Sequence, residues 1–183
     1  QMVRMRRATM DDAPAIARVY VDTWRITYAG SLPDKVLLEM SPDIQAVRWA
    51  RAIERGREII DVAEDETLDI HGSVIGVGSG GPNRQRGSSF AGEVYTLYVA
   101  TDHQNQGIGK RLLRRLFEDL SAAGYNSAVI WVLADNPSRF FYEAMNGVRL
   151  GERTEDIWGT TLREIGYGWP DLSATMADWR EKP

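Results

Sequence analysis

The sequence predicts an α+β fold, a single sheet with helices on both faces in a three-layer sandwich, and three observations carry that prediction. Strand-like runs alternate with helix-like periodicities along most of the chain. Two late strand-like runs flank Trp158-Gly159 and read as a hairpin. A β-branched and aromatic run, Thr96-Leu97-Tyr98-Val99, passes through a short polar turn into Gly107-Ile108-Gly109 and an amphipathic helix. At 183 residues the chain is long enough for one substantial core.

Residues 3–7 read as a first strand. Thr9-Met10-Asp11-Asp12 follows as a capping box with Asp in the usual Glu place, opening a helix over 11–26 whose stripe is Ile16, Tyr20, Thr23, Trp24 and Thr27. The run from Tyr28 to Pro33 breaks it, a second helical region covers 33–40, and Ser41-Pro42-Asp43 caps a third over 43–55. Residues 58–64 and 70–79 read as strands. Residues 80–92, rich in Gly, Ser, Arg and Asn, form the expected mobile loop. Residues 128–133 read as a buried strand, Pro137 opens a short helix to about residue 145, and 148–155 with 161–167 make the hairpin. The tail from 170 carries Trp179 and is open to either a packed helix or a partner.

The helix after the two glycines is the most informative element. Its apolar positions Ile108, Leu112, Leu113, Leu116, Phe117 and Leu120 lie on one face. Glycines at a strand-to-helix junction let a ligand approach bare N–H groups at the positive end of the helix dipole, where phosphate binds. Lys110, Arg111, Arg114 and Arg115 crowd the first two turns, the end where cations are disfavoured. Arg114 with Glu118 and Arg115 with Asp119 are ordinary i,i+4 pairs, but Lys110 and Arg111 call for an anion such as a polyphosphate.

Composition narrows the function classes. A formal net charge of −4 and the lack of a basic stripe interleaved with aromatics give no footprint for nucleic acid. No apolar run approaches the roughly 20 residues that span a bilayer, and the basic N-terminus lacks the apolar segment of a signal peptide, so a cytoplasmic protein is expected. With no cysteine there is no disulfide, thiolate metal site or cysteine nucleophile. Two histidines, His71 and His103, are too few for a usual zinc site, and no metal is expected. Gly76-Val77-Gly78-Ser79-Gly80-Gly81 matches a dinucleotide fingerprint, yet Pro82 and a polar run follow where a helix must begin, so NAD binding is rejected.

Taken together, Gln104-Asn105-Gln106-Gly107-Ile108-Gly109 and Asn136-Pro137-Ser138-Arg139-Phe140-Phe141-Tyr142-Glu143 resemble the two signatures of the GNAT superfamily of N-acetyltransferases. The first matches its pyrophosphate loop, the second its Asn followed by Phe-Tyr-Glu. The likeness covers most of the chain and fades beyond about Leu172, so an acetyltransferase domain over 1–172 and a tail over 173–183 are expected. In place of the family's Gly-Phe pair the chain has Gly147-Val148, which alters packing more than chemistry.

The resemblance implies a mixed, mostly antiparallel sheet of six to seven strands and an enzyme that uses acetyl-CoA as co-substrate. Backbone groups of Leu97 and Val99 pair with the pantetheine amides in this reading. Gln104 and the N–H groups of Asn105, Gln106, Gly107, Ile108, Gly109 and Lys110 hold the pyrophosphate, and Asn136 contacts the pantetheine arm. Tyr142 also lies at the thioester and is the candidate acid for the departing thiolate. Trp24 and Tyr28 lie where the family builds its acceptor pocket, although by spacing Trp24 suits the core.

An alkylamine of pKa near 10 is mostly protonated at pH 7, so a base must relieve it of a proton. Glu93, at the start of the strand that carries Leu97 and Val99, is the candidate, directly or through water; an exposed carboxylate at a strand end is the alternative. Without cysteine an acyl-thioester enzyme is impossible, and direct transfer in a ternary complex to the primary amine of a small molecule is expected. A protein N-terminal or lysine acetyltransferase, or a non-catalytic acyl-CoA sensor, is the competing reading. The superfamily commonly forms homodimers, which allows one here. His103 reads as a solvated loop residue, and His71 is given no role.

Overall fold

A computed structural model describes residues 2–69 and 72–181. His71 and the first residue of the strand expected over 70–79 lie outside these. The strands are β1 (Val3–Arg7), β2 (Ile59–Asp65), β3 (Val74–Pro82), β4 (Gly92–Val99), β5 (Ala128–Leu133), β6 (Val148–Ile157) and β7 (Thr160–Trp169). The helices are α1 (Ala13–Thr27), α2 (Asp34–Glu39), α3 (Pro42–Arg55), α4 (Ile108–Ala122), α5 (Arg139–Ala144) and α6 (Leu172–Glu181). One seven-stranded sheet has the order β1-β2-β3-β4-β5-β7-β6. It is mixed and mostly antiparallel, with a parallel β4–β5 pair. The chain packs as two compact units, Gln1–Gly80 with Thr96–Leu116, and Gly81–Tyr95 with Phe117–Pro183. No helix among the described residues is long and apolar enough to cross a membrane.

In the first unit the strand alternation of β2 sends neighbours to opposite faces. Val62 joins a cluster with Ile16, Ala17 and Val19 of α1 and Trp49 of α3, whereas Ala63 joins Ile75 and Ile108 of α4. Helices therefore cover both faces here. A 3-10 turn at Met10–Asp12 precedes α1, so the helix starts two residues later than the pattern suggests. The capping box forms as read, and Asp12 also takes both ends of the Arg6 guanidinium, at 2.7 and 2.8 Å. Burial pushes the Asp12 carboxyl up, but bonds from Arg6 and Thr9 outweigh this and hold it below the ordinary aspartate range.

The glycine-rich β3 lies against the leucine face of α4. A Cβ on Gly78 would lie 3.5 Å from Leu112 and from Leu97 and 3.6 Å from Leu116, while one on Gly76 would meet Leu112 at 3.4 Å.

In the second unit Phe117 stands edge-on to Trp169 at 5.0 Å and stacks on Trp179 of α6 at 5.5 Å. The tail residues therefore form a helix that closes this core, with Leu172, Met176 and Trp179 all buried. The loop over 83–91 is tied down rather than loose. Asn83 donates from its main chain to Ala91 O and from its side chain to Phe90 O, and Ala91 N reaches Ser127 Oγ. A Cβ on Gly147 would stand 2.8 Å from Tyr142 O, so only glycine lets β6 start this close to the end of α5. Val148, where the family has an aromatic, is exposed.

Candidate active site

In the first unit the residues expected to hold phosphate lie at the start of α4. Ile108 is 2% exposed, so its side chain anchors the start of α4 while its main chain faces the loop. Asn105 (φ 64°) and Gly107 (φ 77°) are left-handed, the kind of backbone from which anion-binding nests are built. A Cβ on Gly107 would meet nothing within 4 Å, so glycine is there for its backbone conformation and not for close packing. Helix geometry leaves the first N–H groups without intrahelical acceptors. Among the described residues, none accepts from the main-chain N–H of Gly107, Ile108, Gly109 or Lys110; the first helical bond is Arg111 N to Gly107 O, at 3.2 Å. Four consecutive donors at the positive end of a fifteen-residue helix are what a diphosphate requires.

Several side chains near this loop make contacts within the chain. Gln104 is exposed, and its amide donates to Val99 O at 3.1 Å, which braces the loop against the end of β4. The Arg111 guanidinium donates to Val3 O at 2.7 Å, and Arg115 donates to Met5 O at 3.2 Å. Both cations cap carbonyls of the outermost strand β1, which protects its free edge. Lys110 and Gln106 remain exposed. His103 is not a solvated residue: its Nε2 lies 3.9 Å from Asp65 Oδ2 and its Nδ1 is covered, with no partner.

Leu97 packs toward α4, within reach of Gly78, and the parallel ladder of β4 with β5 ends at Val94–Ile130. At the end of α1, Trp24 is buried and Tyr28 half-buried, their rings 4.6 Å apart. Arg25, which sequence reasoning passed over, donates to Leu37 O at 3.2 Å and Met40 O at 2.6 Å, holding the last carbonyls of α2.

The second unit holds Tyr142, Asn136 and Glu93. Tyr142 is 4% exposed and packs on Phe141, Tyr167 and Trp169. No hydrogen bond of its hydroxyl is formed among the described residues, and burial pushes the phenol well above the ordinary tyrosine range; the neighbouring Tyr167 hydroxyl is buried without a partner. The Tyr142 phenol stays protonated at neutral pH, and the same burial makes it a weaker acid. Asn136 Oδ1 accepts from Ser138 N at 2.9 Å, shaping the turn into α5, and leaves the amide N–H groups to donate elsewhere.

Glu93 is 3% exposed, not an exposed strand-end carboxylate. Arg84 supplies all three of its hydrogen bonds: main-chain N to Oε1 at 3.0 Å, Nε to Oε1 at 3.2 Å, and Nη2 to Oε2 at 2.7 Å. A carboxylate offers about four acceptor positions, so one at Oε2 is left over. The sequence signal for Arg84 was weak: an arginine placed across a hairpin-like turn from an acidic residue. Among the described residues no group of three or more His, Cys, Asp or Glu is placed to hold a metal ion.

Four bare N–H groups thus open a fifteen-residue helix on a seven-stranded mixed sheet. The chain belongs to the Acetyltransferase (GNAT) family, whose model matches residues 16–147. An uncharacterized N-acetyltransferase of Bacillus subtilis, YuaI, is 38% identical over 94% of this chain and 96% of its own length. Phosphinothricin N-acetyltransferase of Streptomyces viridochromogenes is 30% identical over 61% of this chain and 58% of its own. The structure is similar to that of a phosphinothricin acetyltransferase from Sinorhizobium meliloti in complex with AcCoA, with a TM-score of 0.66, 23% identity, and coverage of 93% of this chain and 89% of that one.

Proposed function

We propose that this N-acetyltransferase moves an acetyl group from acetyl-CoA directly to the primary amine of a small molecule. The observation that carries the reading is the run of four unpartnered main-chain donors from Gly107 to Lys110. In this reading they grip the diphosphate of the co-substrate, with Asn105, Gln106 and the exposed Lys110 alongside, and Gln104 braces the loop. The main chain of Leu97 and Val99 and the free amide of Asn136 take the pantetheine arm. The co-substrate supplies an acetyl group already activated as a thioester.

The remaining chemistry falls to the chain's own groups. Glu93, acting at Oε2 directly or through a water, takes the surplus proton of the acceptor ammonium. Tyr142, kept protonated by burial, donates its phenolic proton to the departing thiolate sulfur, and the phenolate regains a proton from the nitrogen of the new amide. Trp24 and Tyr28 supply an aromatic wall for the acceptor. A small-molecule acceptor is supported by the phosphinothricin enzymes among the similar proteins.

Calorimetry with CoA, followed by acetyl-CoA turnover across a panel of small amines, tests the reading. Micromolar binding and turnover on at least one primary amine are expected. No heat with CoA, or binding without turnover on any amine while peptides are acetylated, overturns it.

A further inference from the structure

The interaction that the proposed chemistry does not use is the one made by Arg84. Its guanidinium closes on the carboxylate of Glu93, at 2.7 Å from Nη2 to Oε2, and lies over the ring of Tyr95, 4.1 Å from the centroid. The two partners of the ion pair are unequally covered. The Glu93 side chain is 4% exposed, whereas that of Arg84 is 63% exposed. A buried carboxylate thus meets solvent through a cation that is itself mostly in water.

We infer that the Glu93 carboxylate and the Tyr95 ring form a subsite for a primary ammonium group, occupied in the free chain by the guanidinium of Arg84. This rests on the role given to Glu93 above and extends it to recognition of the acceptor. A carboxylate buried to this degree is costly to leave unpaired, so whatever displaces Arg84 must be a cation with N–H donors. The ring face adds attraction for a cation and none for an anion or a neutral group. Tyr95 is pinned for this purpose: its hydroxyl donates to Pro82 O, and a Cβ on Gly81 would crowd that hydroxyl at 3.1 Å.

The exchange needs only a side-chain movement. Arg84 N still donates to Oε1 at 3.0 Å when the guanidinium leaves, so the carboxylate keeps its orientation and the loop its turn. The released guanidinium swings on a flexible stem into water, which hydrates it at little cost. Arg84 then acts as an internal competitor that an ammonium-bearing acceptor must displace, and neutral or anionic molecules do not.

The test titrates n-butylammonium into the full chain and into Arg84→Ala and Arg84→Gln by NMR, with CoA binding measured by calorimetry on the same samples. Both variants are expected to bind n-butylammonium about tenfold more tightly than the parent, since a charge-assisted competitor has been removed. n-Butylguanidinium should compete for the same site, and n-butanol should not bind. Equal or weaker ammonium binding in the folded variants overturns the inference and makes the pair a brace of the hairpin; so does a failure of both variants to fold in thermal unfolding. Loss of CoA binding with the ammonium effect intact removes the transferase reading and leaves the cation site standing.

Discussion

Tyr142→Phe separates chemistry from packing more sharply than any other substitution. The phenol forms no hydrogen bond among the described residues, so removing its oxygen orphans no donor or acceptor, and the ring contacts with Phe141, Tyr167 and Trp169 persist. The stability change should stay within about 0.5 kcal/mol. General acid catalysis contributes about 10²–10⁴-fold, equivalent to roughly 3–5 kcal/mol of barrier at 1.36 kcal/mol per decade. A fall in kcat of at least about 100-fold is therefore expected, with the KM for acetyl-CoA within about twofold of the parent. Release of the CoA thiol, followed with a thiol reagent, measures both. The pH profile gives a second check: burial raises the phenol above its ordinary value, so the acid remains loaded and the rate holds through ordinary alkaline pH. An unchanged kcat in a folded, CoA-binding Tyr142→Phe protein refutes the assignment.

Four further outcomes are expected. Glu93→Gln should lower kcat/KM for the amine by about 100-fold and leave CoA affinity unchanged in calorimetry. Gly107→Ala forces a side chain into a left-handed residue of the proposed diphosphate loop, so it should weaken CoA binding by about tenfold or more and cost about 1–2 kcal/mol of stability in denaturant unfolding. Asp12 titrates below the ordinary 3.8 in the folded chain, so its stabilisation is complete above that value and is lost as pH falls through the folded-state value. Tm measured from about pH 6 to about pH 2 should therefore fall less steeply in Asp12→Asn than in the parent. Trp179→Ala removes a ring stacked on Phe117 and should cost about 3–5 kcal/mol, read by urea unfolding, even though it lies in the tail.

Much of the architecture is legible in the residues because each element satisfies a local rule. The leucine face of α4, the capping box at Thr9 and the proline-opened α3 follow from helical periodicity and unpaired N–H groups, which depend on neighbours in sequence. The proposed diphosphate loop belongs to this class too. Left-handed Asn105 and Gly107 before a buried Ile108 constitute a local motif, so the donors could be placed without knowing the fold.

The rest depends on residues far apart in the chain. Lys110 and Arg111 look alike in sequence, but Arg111 is taken by a carbonyl of β1, because an edge strand leaves acceptors that a long cation can reach. The glycines of β3 look like a nucleotide fingerprint until α4 packs against them. For Glu93 a base and an exposed strand-end carboxylate are both open until Arg84 pairs with it, and for the tail a packed helix and a partner contact are both open until Trp179 meets Phe117. The sequence by itself determined most of the elements and the chemical class. Tertiary packing alone decided which charges are already satisfied and which remain for a ligand, because pairing energy depends on distance and burial, and neither is a property of residue order.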